Sequence, residues 1–179
     1  MPIIGIYGGI SAGKTLVQTY MLVKEWRKYQ KPILSNYHLK QIPFTYLQFK
    51  DLLALSDARI DLTNCTIGLD ELQNWVDSRT AAKKLNRLFT YFVLQTGKDD
   101  INMYYTTQDP GQVDLRVRQR TDIWVYVERR GNLHLCMIND KTQMRRKRTR
   151  MVIRGEYVYQ FYDTREKIKP AEIEPRAVA

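Results

Sequence analysis

The residues Gly8-Gly9-Ile10-Ser11-Ala12-Gly13-Lys14-Thr15 fit the pattern G-x-x-x-x-G-K-[ST] in full. The spacing has a physical cause. Glycines let the backbone wrap a phosphate chain, so that successive N–H groups and the start of the following helix face the anion. Lys14 then reaches the β- and γ-phosphates, the Thr15 hydroxyl ligates Mg²⁺, and Leu16 continues the same turn of backbone. The chemistry expected of residues 8–16 is phosphoryl transfer from ATP or a close relative, with Mg²⁺ as cofactor.

Two carboxylates close a short apolar run in Ile67-Gly68-Leu69-Asp70-Glu71. If that run is a buried strand, its C-terminal end is where a parallel α/β sheet binds ligands. Asp70 is then expected to hold Mg²⁺ through its water shell, and Glu71 to polarise the attacking water. The bland reading of the pair is two acids favoured by a helix dipole. Gln108 closes a further apolar run and is a candidate to sense the γ-phosphate or orient water, or else is a plain turn residue in Thr107-Gln108-Asp109-Pro110. Arg116, Arg118 and Arg120 recur at alternate positions, and Arg79 follows the acidic pair. Any of these arginines is a candidate finger for a neighbouring subunit's nucleotide, and surface arginine is the alternative for most of them.

The elements that must position these groups are legible in the hydrophobic pattern. Residues 3–7 have no polar alternation, as in a strand buried on both faces; residues 14–29 place Leu16, Val17, Tyr20, Met21 and Val23 on one helical side; and 33–35 is a second strand after Pro32. A short helix is expected over Phe49–Leu55, a strand over 65–69, a helix over Thr80–Thr96 stopped by Gly97, and a strand over 101–107. From Ile123 onward short β-runs alternate with turn signals at Arg130-Gly131-Asn132 and Asn139-Asp140. Strands are expected over 123–127, 133–138, 151–154 and 157–162, in hairpins. The fold class is therefore α/β, a mainly parallel central sheet flanked by helices, with antiparallel strands on the C-terminal side. A single domain is expected over residues 1–167, followed by an extended or disordered tail over 168–179.

Charge separates the two parts of the chain. Residues 1–114 carry 13 Lys+Arg against 11 Asp+Glu, and residues 115–179 carry 16 against 8. A basic surplus of this kind is the footprint of a polyanion partner. Its densest stretch is Arg145-Arg146-Lys147-Arg148-Thr149-Arg150, read as a basic loop between two strands that would track DNA phosphates or simply solubilise the chain. Cys65 and Cys136 sit in apolar stretches without partners at metal-ligand spacing, as expected of buried thiols in a reducing compartment. No signal peptide and no apolar run long enough to span a bilayer is read, which predicts a soluble protein.

The succession of Gly8–Thr15, Ile67–Glu71, Tyr105-Thr106-Thr107-Gln108-Asp109-Pro110 and Val113-Asp114-Leu115-Arg116 resembles the FtsK–HerA class of P-loop ATPases. The likeness is greatest to its small viral members, the genome-packaging ATPases of internal-membrane viruses and the Zot-like assembly ATPases of filamentous phage. Ser35-Asn36, Asp70-Glu71-Leu72-Gln73 with Ser78-Arg79, and Gly97-Lys98-Asp99-Asp100-Ile101 carry the Zot-like flavour. The resemblance implies a RecA-like P-loop NTPase core, Mg-ATP, a homo-oligomeric ring (commonly a hexamer), double-stranded DNA threading through it, and a place in the host cytoplasm at an assembling virion with capsid or assembly proteins. Zot-like proteins usually add a membrane span and a further domain. Neither is read here, which points to the packaging-motor branch, with a non-translocating assembly ATPase as the alternative.

Overall fold

The computed structural model describes residues 2–48, 51, 63–75, 89–90, 92–94, 96–142 and 147–166. Strand β1 (Ile3–Tyr7), helix α1 (Lys14–Tyr29) and strand β2 (Ile33–Ser35) occupy the residues the pattern predicts. They are followed by β3 (Thr45–Tyr46), β4 (Thr66–Leu69), β5 (Asn102–Thr107), the short helix α2 (Leu115–Arg120), β6 (Ile123–Arg130), β7 (Leu133–Asp140) and β8 (Lys147–Arg154). The strands form one sheet in the order β3-β2-β4-β5-β1-β6-β7-β8. Pairing is parallel from β3 through β6 and antiparallel across β6–β7–β8.

The parallel part is buried on both faces, which is why its strands lack polar alternation. Ile3 packs on one side with Ile67, Leu69, Met103 and the aromatic pair Phe89 and Phe92, while Ile4 and Ile6 pack on the other with Leu16, Val17 and Leu22 of α1. The Gln18 side-chain amide donates to the Tyr104 carbonyl at 3.0 Å and ties α1 to β5. The helix ends where Gln30 turns left-handed at φ 54 and donates its N–H to Trp26.

Beyond β1 one face of the sheet stays covered, while on the other Trp124 of β6 still packs against the core and, among the described residues, the outer strands are largely exposed. The rows Val127–Cys136–Met151 and Arg129–His134–Ile153 look toward α1 and the glycine loop. The alternate rows Tyr126–Met137–Arg150, Glu128–Leu135–Val152 and Trp124–Asn139–Arg148 look the other way, and Met137, Arg148, Arg150 and Val152 there are exposed.

Several sequence expectations need correction. Residues 157–162 are not a strand: Gly155–Tyr157 and Tyr159–Phe161 are 3-10 turns, and Tyr162 makes one bridge to Leu39. The buried positions Gly155, Val158 and Phe161 recur every three residues, the 3-10 period, which the dense aromatics disguised as β texture. Asn139-Asp140 is no turn but the end of β7, paired with Trp124 and Ile123. The basic run is not a loop throughout, because residues 147–150 already belong to β8. Of the expected helix over 80–96, residues 89–90 and 92–94 are described and helical, as is residue 51 of the one expected over 49–55. Residue 96 is a turn rather than the last helical residue, and residues 49–50, 52–55, 80–88, 91 and 95 and the tail over 168–179 lie outside the described residues. Cys65 and Cys136 are both buried and neither is in a disulfide, and burial pushes the Cys136 thiol up to about 12.

Candidate nucleotide-binding site

The glycine loop joins the C-terminal end of β1 to the first turn of α1. Gly13, at φ 93, lets the loop turn into the helix, where Val17 donates to its carbonyl at 3.0 Å. The ring of His134, a buried residue of β7, lies where a Cβ on Gly13 would stand, and its Nδ1–H donates to the Ala12 carbonyl at 3.0 Å. Gly13→Ala meets both obstacles at once, the positive φ and the packed ring. It is expected to destabilise the fold by about 1–3 kcal/mol and to disorder the loop, measurable as a lowered Tm together with lost nucleotide affinity.

Lys14 is buried, and its ammonium donates to the Gly8 and Gly9 carbonyls at 3.2 and 3.1 Å, inside the cradle that a phosphate chain would fill. Opposite, Asp70 directly follows the end of β4. Strand β5 lies between β4 and β1, so Asp70 and the loop are not on adjacent strands; they meet because both strands end at the same edge of the sheet. The Thr15 hydroxyl shares its hydrogen between the two Asp70 carboxylate oxygens at 3.0 and 3.1 Å. From β5 between them, the Thr106 hydroxyl donates to Asp70 Oδ1 at 2.6 Å and accepts the Glu71 N–H at 2.8 Å. Asn36, just past β2, fixes the Asp70 backbone from the other side: its amide donates to the Asp70 carbonyl at 2.9 Å, and its Oδ1 accepts the Asp70 N–H at 2.7 Å.

Burial raises the Asp70 carboxyl from 3.8 to about 6, reinforced by the neighbouring Glu71 charge, while the bonds from Thr106 and Thr15 and the charge of Lys14 pull it back. Glu71 stands in a left-handed conformation at φ 50, ψ 54, with its carboxylate accepting from the Gln73 amide. A non-glycine residue held in that conformation is a local outlier of the kind that gathers at working sites. Lys14, Thr15 and Glu71 all line one cavity of about 690 Å³, whose remaining wall includes Lys40, Arg129, His134, Tyr159, Tyr162 and Asp163.

Solved structures share this arrangement of elements. The N-terminal domain of the zonular occludens toxin of Neisseria meningitidis matches with a TM-score of 0.66, covering 91% of this chain and 100% of that one at 17% identity. The genome packaging NTPase B204 of Sulfolobus turreted icosahedral virus 2 in complex with AMPPCP matches with a TM-score of 0.60, over 84% of this chain and 96% of that one at 11% identity. The same protein in complex with ATP-gammaS gives 0.55 at 10% identity. The chain has a P-loop NTPase fold. The two kinds of neighbour are those the sequence motifs resemble. No protein-family model matches the sequence, and no curated protein matches it either.

With the P-loop placed, the donors suit a small hard cation: one hydroxyl and one carboxylate, both oxygen, already within 3.1 Å of each other. Among the described residues no group of three or more His, Cys, Asp or Glu gathers to hold a metal, and a cation bound here would complete its shell with phosphate oxygens and water. The remaining sequence candidates are placed less centrally. Gln108 follows the end of β5, exposed and outside the cavity wall; the strand-end residue that reaches Asp70 is Thr106. Residues 115–120 are helical, so alternate arginines do not share a face: Arg116 and Arg120, four apart, lie on one exposed side, while Arg118 is half-buried against Tyr105. Arg79, Arg145 and Arg146 lie outside the described residues, as does the side chain of Lys147. Arg148 and Arg150 are exposed on the uncovered face of β8.

His134 and Arg129 are residues that sequence reasoning passed over, while Thr106 and Asn36 entered it only as parts of the resembling motifs, with no role in the site. Thr106 and Asn36 stand at or just past strand ends on the ligand-binding edge, and that position is the one signal that could have marked them. His134 and Arg129 carry no such signal, because the long-range pairing of β6 with β1 and of β7 with β6 is what brings them to the loop.

Proposed function

We propose that the chain binds Mg-ATP and hydrolyses it, and that it does so as a subunit of a ring that moves double-stranded DNA during viral genome packaging in the host cytoplasm. The observation that most supports this reading is that the Thr15 hydroxyl meets the Asp70 carboxylate beside Lys14 and Glu71 on one cavity, with β5 inserted between the strands that carry them. Lys14 neutralises charge on the β- and γ-phosphates, and the Glu71 carboxylate takes the proton of the water that attacks the γ-phosphorus, giving ADP and phosphate. Thr15 and Asp70 are the residues that would hold Mg²⁺, which would supply charge neutralisation on the phosphate oxygens. In a ring, Arg116 and Arg120 face outward from α2 and are free to approach a neighbour's nucleotide.

The DNA surface in this reading is the uncovered face of β6–β8, where Arg148 and Arg150 sit two residues apart on the same side of one strand. Contacts to phosphate release counterions, so affinity falls steeply with salt. Arg148→Ala/Arg150→Ala is expected to weaken all DNA sequences alike and to flatten the log–log salt slope by roughly two units, one per lost contact. Basal ATPase stays at the parent level, since the P-loop lies on other elements. The measurement is duplex DNA affinity and ATPase rate, with and without DNA, across a salt series. The same face also exposes Met137 and Val152 beside the partly buried Leu135, an apolar row that suits a protein partner. An unchanged salt slope with no stimulation by DNA therefore moves the assignment to an assembly ATPase that turns over on a morphogenesis complex.

A further inference from the structure

Strand β6 runs beside β1 through the pair Tyr7↔Tyr126 and then continues for four residues past the end of β1, alongside the phosphate loop. The third of those residues is Arg129. It faces the loop side of the sheet, in register with His134 of β7, and both line the nucleotide cavity. His134 is fully buried and holds the Ala12 carbonyl, so the hairpin is fastened to the loop at 3.0 Å. Just beyond Arg129 the chain reverses over Gly131-Asn132, with Gly131 at φ 60, the positive φ that a type II′ turn asks of its first central residue. The Gly131 carbonyl accepts from Arg129 Nε at 2.9 Å, which fixes the root of the guanidinium and, among the described residues, leaves its terminal nitrogens without a hydrogen-bond acceptor. Among the described residues no carboxylate forms an ion pair with Arg129, although Glu71 and Asp163 line the same cavity.

A fixed cation without a counter-charge among the described residues, facing the space beside a phosphate cradle, suits an anion. We propose that Arg129 contacts the phosphates of the nucleotide bound in its own subunit, and that His134 is the positioning residue that keeps this arginine in register with the P-loop. The inference rests on the nucleotide reading of the cavity. It differs in kind from a finger supplied by a neighbour, because the arginines of α2 do not line the cavity of the chain that carries them.

The test uses equilibrium titration of the full chain with Mg-ATP, Mg-ADP and inorganic tripolyphosphate. Arg129→Ala, at an exposed position where folding is checked by an unchanged Tm, is expected to weaken ATP and tripolyphosphate by the same factor, roughly tenfold to a hundredfold. Arg129→Lys, which keeps the charge without the fork, recovers part of the loss. A loss for ATP without a loss for tripolyphosphate assigns the contact to the nucleoside and overturns the proposal. Mixing Arg129→Ala with Lys14→Ala subunits separates own-subunit from neighbour action: restored turnover means the arginine serves the adjacent site, and the inference fails. If the parent binds nucleotide and Arg129→Ala matches it, this inference alone is lost, whereas a parent that binds neither ATP nor tripolyphosphate removes the nucleotide reading itself.

Discussion

Glu71→Gln is expected to bind Mg-ATP within about twofold of the parent and to hydrolyse it roughly a hundredfold to ten-thousandfold more slowly, the range that a positioned general base contributes. The neutral amide keeps the size of the side chain and a partner for Gln73, so the strained turn and the cavity wall survive. What disappears is the acceptor for the water's proton. Lys14→Ala is expected to differ in pattern. It removes the charge that the cradle holds beneath the Gly8 and Gly9 carbonyls, so affinity and turnover fall together, turnover by at least roughly a hundredfold. Single-turnover hydrolysis beside equilibrium binding resolves the two. A Glu71→Gln chain that cleaves ATP at the parent rate would falsify the base assignment and move attention to Asp70.

The contrast between these variants was legible in the sequence because a P-loop is a local object. Its glycines, lysine and threonine are consecutive, and the strand before it and helix after it are fixed by short-range apolar patterns, which is why β1, α1 and β2 fall on the expected residues. Legibility fails where geometry depends on distant pairing. Thr106 bonds a carboxylate 36 residues away, Asn36 clamps a backbone 34 residues away, and His134 holds a carbonyl 122 residues away. No spacing rule connects such positions. It fails too where one texture fits two periods: Gly155, Val158 and Phe161 are buried at intervals of three, yet the tyrosines among them read as strand. The arginines at 116, 118 and 120 show the same effect, since alternate spacing means a shared face only in an extended chain.

Asp70 carries the remaining large expectation, because the function of this group and the stability of the ligand-free fold pull in opposite directions. Its carboxyl titrates at about 6 in the fold against 3.8 for an exposed carboxylate. The unfolded chain therefore releases this proton first as pH rises. Stability contributed by the protonated carboxyl is complete at pH values below the unfolded value, is lost progressively between about 4 and 6, and stays lost above, a deficit of about 3 kcal/mol at most. Asp70→Asn has no charge to bury, and its side-chain oxygen still accepts from the Thr106 hydroxyl. Without ligand at pH 8 the variant is expected to be more stable than the parent by up to about 3 kcal/mol, and at pH 4.5 the gap should narrow to about 1 kcal/mol. Activity moves the opposite way. Holding Mg²⁺ needs the ionised carboxylate, so uptake of Mg²⁺ by the ligand-free parent weakens as pH drops through about 6, and Asp70→Asn loses Mg²⁺-dependent turnover at every pH. Chemical denaturation at the two pH values, with and without Mg-ATP, reads both effects. An Asp70→Asn chain that gains nothing at pH 8, or gains equally at pH 4.5, would show that the buried charge is not what the ligand-free fold tolerates for the sake of its cation.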